Sequence, residues 1–162
     1  MTPTNRLTAW FDAAGAPYVR VDVSDGLGPA EGGAAIAARL GAVGVKALLT
    51  KGDDGLFRVL AIPARRELDS QRARQSLGLR KLRFARPEEL FALTGIAPGG
   101  VPPFGQPHFD ALLVADVSLA SVDRVAFGGG HPLVRLSLMG DAWRRLAQPR
   151  FEALVSADME TP

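Results

Sequence analysis

A short loop rich in glycine and proline is the first feature of the chain that could shape a ligand pocket. Residues 99–105 read Gly-Gly-Val-Pro-Pro-Phe-Gly, so five of the seven are glycine or proline. Glycine lets backbone approach a ligand closely, and proline fixes the path of the chain. Because the loop leads soon afterwards into the apolar run Ala111–Ala115, we expect a shaped loop beside a sheet rather than a flexible linker.

A second glycine-rich turn, Gly128–His131, lies between two segments that have the composition of strands. Successive backbone N–H groups of such a turn can converge on an anion or on a developing oxyanion. His131 is a candidate general base, although Pro132 equally favours a turn residue whose ring points into solvent. A glycine hairpin with a bulge is the structural alternative, and no lysine follows to make a Walker loop.

The third candidate is a lysine in an apolar strand. Only three of the 19 basic residues are lysine, namely Lys46, Lys51 and Lys81. A lysine in so arginine-rich a chain suggests that a compact ammonium is needed there instead of a planar guanidinium. If Val45 and Leu49 face the core, Lys46 lies on the opposite face of its strand. There it could hold a phosphate as a point charge, and the alternative is an ordinary solvated lysine.

Positive charge is concentrated in residues 64–86, which hold eight arginine and lysine residues against two acidic ones, whereas the whole chain has a net charge of +2. A basic segment on a mildly acidic body suits the phosphate backbone of a nucleic acid. Arg72, Arg74 and Arg80 are the candidate contacts. The alternative is a solvated helix face beside a strand edge guarded by charge.

Several kinds of chemistry are excluded or disfavoured. The chain has no cysteine, which excludes disulfides, thiolate metal sites and a cysteine nucleophile. Its two histidines lack the spacing of a His-Glu-x-x-His site, and no Gly-x-Ser-x-Gly elbow marks a serine nucleophile. We therefore expect no metal and no cofactor. No apolar run approaches the roughly 20 residues of a membrane helix, the N-terminus is a poor signal peptide, and the composition suits the cytoplasm.

Hydrophobic periodicity and turn residues predict interspersed helices and strands. Helices are expected over residues 3–14, 34–40, 69–77, 87–94 and 141–146. Strands are expected over residues 18–23, 45–50, 56–62, 81–85, 111–117, 124–127 and 133–138, and a loop over residues 24–30. This pattern predicts an α+β fold, a single domain over residues 1–162 with one mixed, largely antiparallel central sheet flanked by helices.

Three motifs follow one another in an order that resembles a known family. They are Val-Lys-Ala-Leu-Leu-Thr at 45–50, Thr-Gly-Ile-Ala-Pro-Gly-Gly-Val-Pro-Pro-Phe-Gly at 94–105, and Phe-Gly-Gly-Gly-His-Pro-Leu-Val-Arg-Leu-Ser-Leu at 127–138. Their order and spacing resemble the YbaK family of aminoacyl-tRNA editing domains, which includes free-standing proteins and the editing insert of bacterial prolyl-tRNA synthetases. The resemblance covers roughly residues 4–148.

The resemblance implies hydrolysis of the ester that joins a wrong amino acid to tRNA, without a side-chain nucleophile and with a ribose hydroxyl of the substrate helping to activate water. Lys46 would engage the terminal adenosine end of the tRNA. Residues of the first loop would line the aminoacyl pocket: Gly99, Gly100, Pro103, Phe104 and Gly105. Residues of the second would lie nearest the scissile carbonyl: Gly129, Gly130 and His131. Arg72, Arg74 and Arg80 would contact the tRNA body.

The implied partners are a misacylated tRNA and, as a further option, an aminoacyl-tRNA synthetase, with no membrane and no metal. The amino acid stays open, because members of the family handle Ala, Ser, Thr or Cys. This chain also has Ala47 where many relatives have Thr or Asn. Two alternatives are a non-catalytic tRNA- or synthetase-binding module of the same fold and a hydrolase of small aminoacyl esters.

Overall fold

A mixed β-sheet runs through the centre of the molecule, and helices cover both of its faces. The structure is a computed structural model, and it describes residues 1–23 and 29–157. The described part of the chain forms five α-helices: α1 (Pro3–Ala13), α2 (Pro29–Leu40), α3 (Ser70–Leu77), α4 (Pro87–Thr94) and α5 (Gly140–Ala147). It forms eight strands: β1 (Tyr18–Asp22), β2 (Val43–Gly52), β3 (Phe57–Pro63), β4 (Leu82–Phe84), β5 (Leu112–Asp116), β6 (Arg124–Gly128), β7 (Val134–Met139) and β8 (Arg150–Glu152).

Local capping explains where several helices begin and end. The Thr2 side chain accepts a hydrogen bond from the Asn5 N–H at the start of α1, and proline follows at the first helical position. Asp69 caps α3 in the same way through the Arg72 N–H, and the left-handed Gly78 (φ 71°) ends that helix. Both helices match the sequence prediction to within a residue or two.

The strands join in the order β1-β7-β6-β2-β3-β5-β8, with β4 also paired to β2. Four neighbouring pairs are antiparallel, including the β2–β3 and β6–β7 hairpins. Three are parallel: β2 with β6, β3 with β5, and β5 with β8. The predicted α+β class with a mixed, largely antiparallel sheet is therefore confirmed.

The two faces of the sheet carry different helices. Val45 and Leu49 of β2 point into the main core, which also holds Phe11 of α1 and Trp143 of α5. The alternate residues of β2 point to the other face, where α3 covers a smaller cluster around Leu60 and Ile62. α2 lies on that second face too, because a Cβ added to Gly44 would meet the Ala37 side chain at 3.6 Å.

Two predictions of elements need correction, and one strand was missed. α2 begins at Pro29 rather than Ala34, so the predicted loop over 24–30 is wrong at its last two residues, and 24–28 lie outside the described residues. The strand predicted over 111–117 ends at Asp116, whose side chain accepts from the Ser118 N–H and starts a 3₁₀ turn, Val117–Leu119. The short strand β8 was not predicted, because three residues carry no usable alternation.

Candidate active site

The candidate site begins at a gap in the sheet. β6 pairs with β2 only at Val43 and Gly44, and β4 pairs with it only at Thr50–Gly52. Between these contacts, no strand of the described residues pairs with this edge of β2. A cavity of about 200 Å³ lies here, lined by the residue groups Ala47–Leu49, Phe84–Ala85, Pro87, Leu90, Pro98–Gly99 and Val101. This gap brings the lysine strand and the start of the glycine-proline loop to one place.

The first half of that loop is a tight turn, Ala97-Pro98-Gly99-Gly100. The Gly100 N–H donates to the Ala97 carbonyl at 3.1 Å, and Gly99 has a φ of 90°. Proline at the second position and left-handed glycine at the third are the features of a type II turn. Ala97, Pro98 and Gly99 are exposed whereas Gly100 is buried, so a ligand can reach Gly99 but not Gly100.

The two glycine-rich loops are in direct backbone contact. The Gly130 N–H donates to the Gly100 carbonyl oxygen at 2.8 Å. A Cβ on Gly100 would lie 2.7 Å from the carbonyl carbon of His131, and one on Gly128 would lie 2.7 Å from the Gly99 oxygen. No side chain fits between backbones at these distances, so the glycines are required by the approach of the loops. The structure thus brings together the two loops that the sequence singled out.

The N-terminus of α1 supports this contact from the other side. The Thr4 hydroxyl donates to the Gly129 carbonyl oxygen at 2.6 Å, and Thr4 is buried. A Cβ on Gly130 would lie 2.7 Å from the Thr4 nitrogen, and Gly130 has a φ of 90°. The loop is therefore held between α1 and the Gly99–Gly100 turn.

The amides of this loop are not the free donors that the sequence suggested. The Gly129 N–H donates to the Val134 carbonyl at 2.9 Å, and the Gly130 N–H is taken by Gly100. Both glycines are buried. Their predicted position nearest the scissile carbonyl stays a prediction, and in this conformation they shape the loop rather than point their N–H groups at a ligand.

The second half of the first loop is built into the core. Phe104 is fully buried and packs against Trp10 and Phe127, with ring centroids 4.9 and 5.8 Å away. The buried Pro103 accepts a hydrogen bond from the Trp143 indole at 3.0 Å. A Cβ on Gly105 would lie 2.6 Å from the Ala111 oxygen. These three residues anchor the loop, and their predicted contact with the aminoacyl group is untested.

Lys46 lies beside this arrangement on the α2 face of the sheet. Gly44 pairs in parallel with Ala126 and is the last residue of β2 that pairs with β6. Lys46 follows two residues later, and its side chain projects to the same face of the sheet as Gly44. The Lys46 ammonium lies 3.5 Å from the Glu67 carboxylate, and the two side chains are 31% and 92% exposed. An ion pair this exposed is weakly held, so the ammonium is available to an anionic substrate.

His131 is exposed at the rim of the second loop. Its Nδ1 accepts a hydrogen bond from the Leu133 N–H at 3.1 Å. With Nδ1 acting as acceptor, the proton of the neutral ring lies on Nε2. In this geometry His131 offers a hydrogen-bond donor to the site. The predicted role as general base would require the ring to break that bond.

The basic segment splits into two parts. A cleft of about 530 Å³ is lined by Lys51–Asp53, Ser70, Arg74 and Arg80–Arg83. The structure therefore places Arg74 and Arg80 in one cleft with Lys51 and Lys81. Arg72 is not among the residues that line it, and its guanidinium donates to the Val155 carbonyl at 3.3 Å. The predicted tRNA contact of Arg72 has the least support of the three.

Several charged side chains in the cleft already bind other groups of the protein. Arg83 and Glu89 form a two-point ion pair at 2.8 and 3.1 Å, which raises the pKa of Arg83 and lowers that of Glu89 to about 2. The backbone N–H groups of Lys81 and Arg80 bind the Asp53 carboxylate and lower its pKa. Among the described residues, no ion pair engages Arg80 or Lys81. These two side chains are the cations best placed to receive a phosphate.

One residue that sequence reasoning missed lies next to both loops. Arg135 of β7 pairs with Gly128 of β6, and it is 8% exposed. Its guanidinium donates to the Pro132 carbonyl at 3.0 Å. The available signal was a lone arginine inside the apolar run Leu133–Leu138.

No group of three or more potential metal ligands occurs within residues 1–23 and 29–157. None of the helices in those residues is long and apolar enough to cross a membrane.

The fold and the paired glycine loops define a protein of the editing-domain class. The family described as the aminoacyl-tRNA editing domain matches residues 29–146. The chain therefore belongs to the aminoacyl-tRNA editing domain family, which confirms the resemblance seen in the sequence.

Solved structures of similar fold agree with this assignment. One, described as a candidate trans-editing enzyme for prolyl-tRNA synthetase, is 25% identical with a TM-score of 0.77, and the match covers 97% of this chain and 99% of that one. The hypothetical protein APE2540 is 26% identical with a TM-score of 0.76, covering 93% of this chain and 99% of the other. An epitope-presenting scaffold at 23% identity and a TM-score of 0.77, with 96% and 98% covered, shows the same fold. No match was found among curated proteins.

Proposed function

We propose that this protein is a trans-editing aminoacyl-tRNA deacylase, which hydrolyses the ester bond of a tRNA carrying a wrong small amino acid such as Ala, Ser, Thr or Cys. Membership of the editing-domain family and the similarity to a candidate trans-editing enzyme support the proposal. The observation that carries it is the contact between the two glycine loops beside the open edge of β2, the strand that also carries Lys46. The substrate would be a misacylated tRNA, delivered freely or by a synthetase.

The reaction needs a water molecule and a polarised ester. Water adds to the carbonyl carbon, the bond from that carbon to the ribose oxygen breaks, and the ribose oxygen takes up a proton as the free amino acid leaves. The chain has no cysteine, and we propose that a ribose hydroxyl of the substrate helps to activate the water. Lys46 would hold the phosphate end of the terminal adenosine, and the exposed Nε2–H of His131 would donate to substrate oxygen.

The basic cleft would hold the tRNA body. Lys51 lies five residues beyond Lys46 on β2, a separation of about 16 Å along a strand. Arg80 and Lys81 lie beside Lys51, and phosphates of the acceptor stem would bind there. Splitting the work in this way lets one end of β2 position the ester while the other end contributes affinity.

An editing step of this kind compensates for the limited selectivity of synthetase pockets. A pocket that selects an amino acid by size discriminates one methylene by only about 1–3 kcal/mol, so a second hydrolytic site is needed to reach the accuracy of translation. Such a site must keep its shape. Here the close backbone contacts at the glycines and the burial of Phe104 hold the first loop in place. We expect the protein to act as a single domain in the cytoplasm, where tRNA is charged.

The test is a deacylation panel with the purified protein and tRNAs charged with correct and incorrect amino acids. We expect release of the amino acid from at least one mischarged tRNA, and loss of that release in the Lys46→Met variant. Binding of tRNA without release from any member of the panel would favour a non-catalytic tRNA- or synthetase-binding module. Equal turnover of an aminoacyl-adenosine and of the matching aminoacyl-tRNA would favour a hydrolase of small aminoacyl esters.

A further inference from the structure

Arg135 is a buried charge in the apolar strand β7. It is 8% exposed, and burial lowers the pKa of its guanidinium. A charged group taken out of water is costly unless hydrogen bonds compensate it. Because Arg135 lies next to the candidate site, the groups that its guanidinium binds bear on the geometry of that site.

The guanidinium connects the two loops of the site. Its Nη1 donates to the Pro132 carbonyl at 3.0 Å and to the Val134 carbonyl at 3.2 Å, and it reaches the Gly99 carbonyl at 3.5 Å. Pro132 follows His131, and Gly99 is an exposed residue of the type II turn. Arg135 thus contacts the same two loops that the Gly130–Gly100 hydrogen bond joins.

Helix α2 is shaped to leave room for this side chain. A Cβ added to Gly33 would lie 2.6 Å from Nε and 3.1 Å from Nη2 of Arg135. Glycine in the interior of a helix is less stable than alanine, and α2 carries Gly33 well inside its bounds. The guanidinium occupies the space that a side chain at position 33 would need, which explains why glycine is found there.

Arg135 also lies on the same face of the sheet as Lys46. It pairs with Gly128 across the β6–β7 hairpin. Gly44 of β2 pairs with Ala126, two residues before Gly128, and Lys46 shares the face of Gly44. Paired residues of neighbouring strands project to one face. Both basic side chains therefore lie on the face of the sheet that α2 covers.

We propose that Arg135 is a positioning residue of the editing site, with Gly33 as the complementary space that lets it act. It fixes the Gly99 carbonyl and the His131–Leu133 turn relative to each other, and so sets the shape of the site beside the open edge of β2. The inference rests on the proposed function. Arg135 has too little exposed surface to grip tRNA, so it acts on turnover and not on tRNA affinity.

Two variants disturb the guanidinium in different ways. Arg135→Lys keeps the charge and loses the planar fork, whereas Gly33→Ala keeps the arginine and pushes it from its place. Because displacement of a site by about 1 Å can cost up to about 100-fold in rate, we expect both variants to lower kcat at least ~10-fold with KM for the mischarged tRNA unchanged. Arg124→Lys is the matched control, since Arg124 donates to the Ser137 hydroxyl at the far end of β6.

A second readout does not depend on activity. Amide hydrogen exchange at Gly130 reports the bond to Gly100, and we expect it to speed up in Arg135→Lys and Gly33→Ala but not in Arg124→Lys. Wild-type kcat together with wild-type exchange at Gly130 in both variants would overturn the positioning role, as would a rise in KM alone. If the wild-type protein deacylates no mischarged tRNA, the proposed function fails, and the exchange of Gly130 still decides whether Arg135 holds the loops.

Discussion

Gly130 donates its backbone N–H to the carbonyl oxygen of Gly100 across 2.8 Å, although the two residues belong to loops from different parts of the chain. This bond places the turn at Gly99 against the turn at His131 beside the open edge of β2. The distance between the loops is a backbone-to-backbone distance, so side-chain movement cannot adjust it. The geometry of the candidate site should therefore be sensitive to single atoms added at the glycines.

Gly100→Ala tests that sensitivity. The new Cβ would lie 2.7 Å from the His131 carbonyl carbon and 2.9 Å from its nitrogen, and neither backbone atom can turn away. We expect the loops to separate, with a loss of about 1–3 kcal/mol in the free energy of unfolding and a fall of up to ~100-fold in kcat/KM for the mischarged tRNA. Denaturant unfolding and deacylation kinetics measure the two effects.

Gly44→Ala is the matched control for this variant. Its Cβ would meet only the side chains of Ala64 and Ala37, at 3.4 and 3.6 Å, which are ordinary contacts. We expect activity and stability close to wild type. If both variants had the same activity and stability, the close approach of the loops would not be the reason that position 100 requires glycine.

Lys46 is expected to act through its charge and not through packing. Lys46→Met keeps most of the aliphatic stem, and the side chain is already 31% exposed, so unfolding should change by no more than about 0.5 kcal/mol. The variant removes the ammonium that would bind the terminal phosphate. We expect kcat/KM to fall by ~100-fold or more, which is typical of removing one electrostatic stabiliser. Lys46→Arg should not restore activity fully, because the guanidinium is planar and larger.

Glu67→Gln separates the lysine from its ion pair. The Glu67 side chain is 92% exposed and 3.5 Å from the ammonium, so the pair contributes little to stability. We expect activity to be retained, with a slightly lower KM at low salt because the carboxylate no longer competes with phosphate. A loss as large as that of Lys46→Met would mean that the ion pair itself is what the site requires.

The basic cleft should control the salt dependence of tRNA binding. Arg80→Gln with Lys81→Gln removes two cations for which no ion pair occurs in the described residues, and the salt slope should fall by about one for each phosphate that is no longer neutralised. The exposed residues Arg20 and Arg145 lie outside the cleft, so Arg20→Gln with Arg145→Gln is the control. Equal slopes in filter-binding titrations of both double variants would assign segment 64–86 to a solvated surface.

Much of the fold follows from local signals. The Thr2-Pro3 start of α1, the Asp69 cap and the Gly78 end of α3 are interactions within a few residues, and the sequence predicts them correctly. The order of the strands across the sheet was not predicted, because it depends on pairings between distant segments. The extension of α2 to Pro29 was missed because Gly32 and Gly33 lower its helix propensity.

The sequence predicted the segments that form the candidate site, but not the hydrogen bonds between them. Composition marked both glycine loops, yet only the structure shows that the Gly129 and Gly130 amides donate to Val134 and Gly100. Nothing local distinguishes Phe104 as a core anchor, since its burial depends on Trp10 and Phe127 from other elements. Arg135 was overlooked because Gly99 and Gly33, which it contacts in the first loop and in α2, are distant in the sequence.

His108 lies in an aromatic cluster beside the first loop. Its ring stacks on Trp10 at 5.3 Å and meets Phe109 edge-on at 4.6 Å. Burial, with a smaller contribution from the charge of Arg6, lowers the pKa of His108 to about 4 from an ordinary value of 6.5. The unfolded chain therefore binds more protons than the folded one between these values, and stability is lost as the pH falls from 6.5 towards 4.

His108→Phe should remove this dependence while keeping an aromatic ring in the cluster. We expect the free energy of unfolding of the variant to be flatter than that of the wild type between pH 6.5 and about 4.5. Glu89 and Asp54, whose ion pairs lower their pKa values to about 2 in the folded protein, lose their contributions below that window. Urea unfolding at a series of pH values makes the comparison, and parallel curves for the two proteins would show that His108 is not held neutral by its aromatic neighbours.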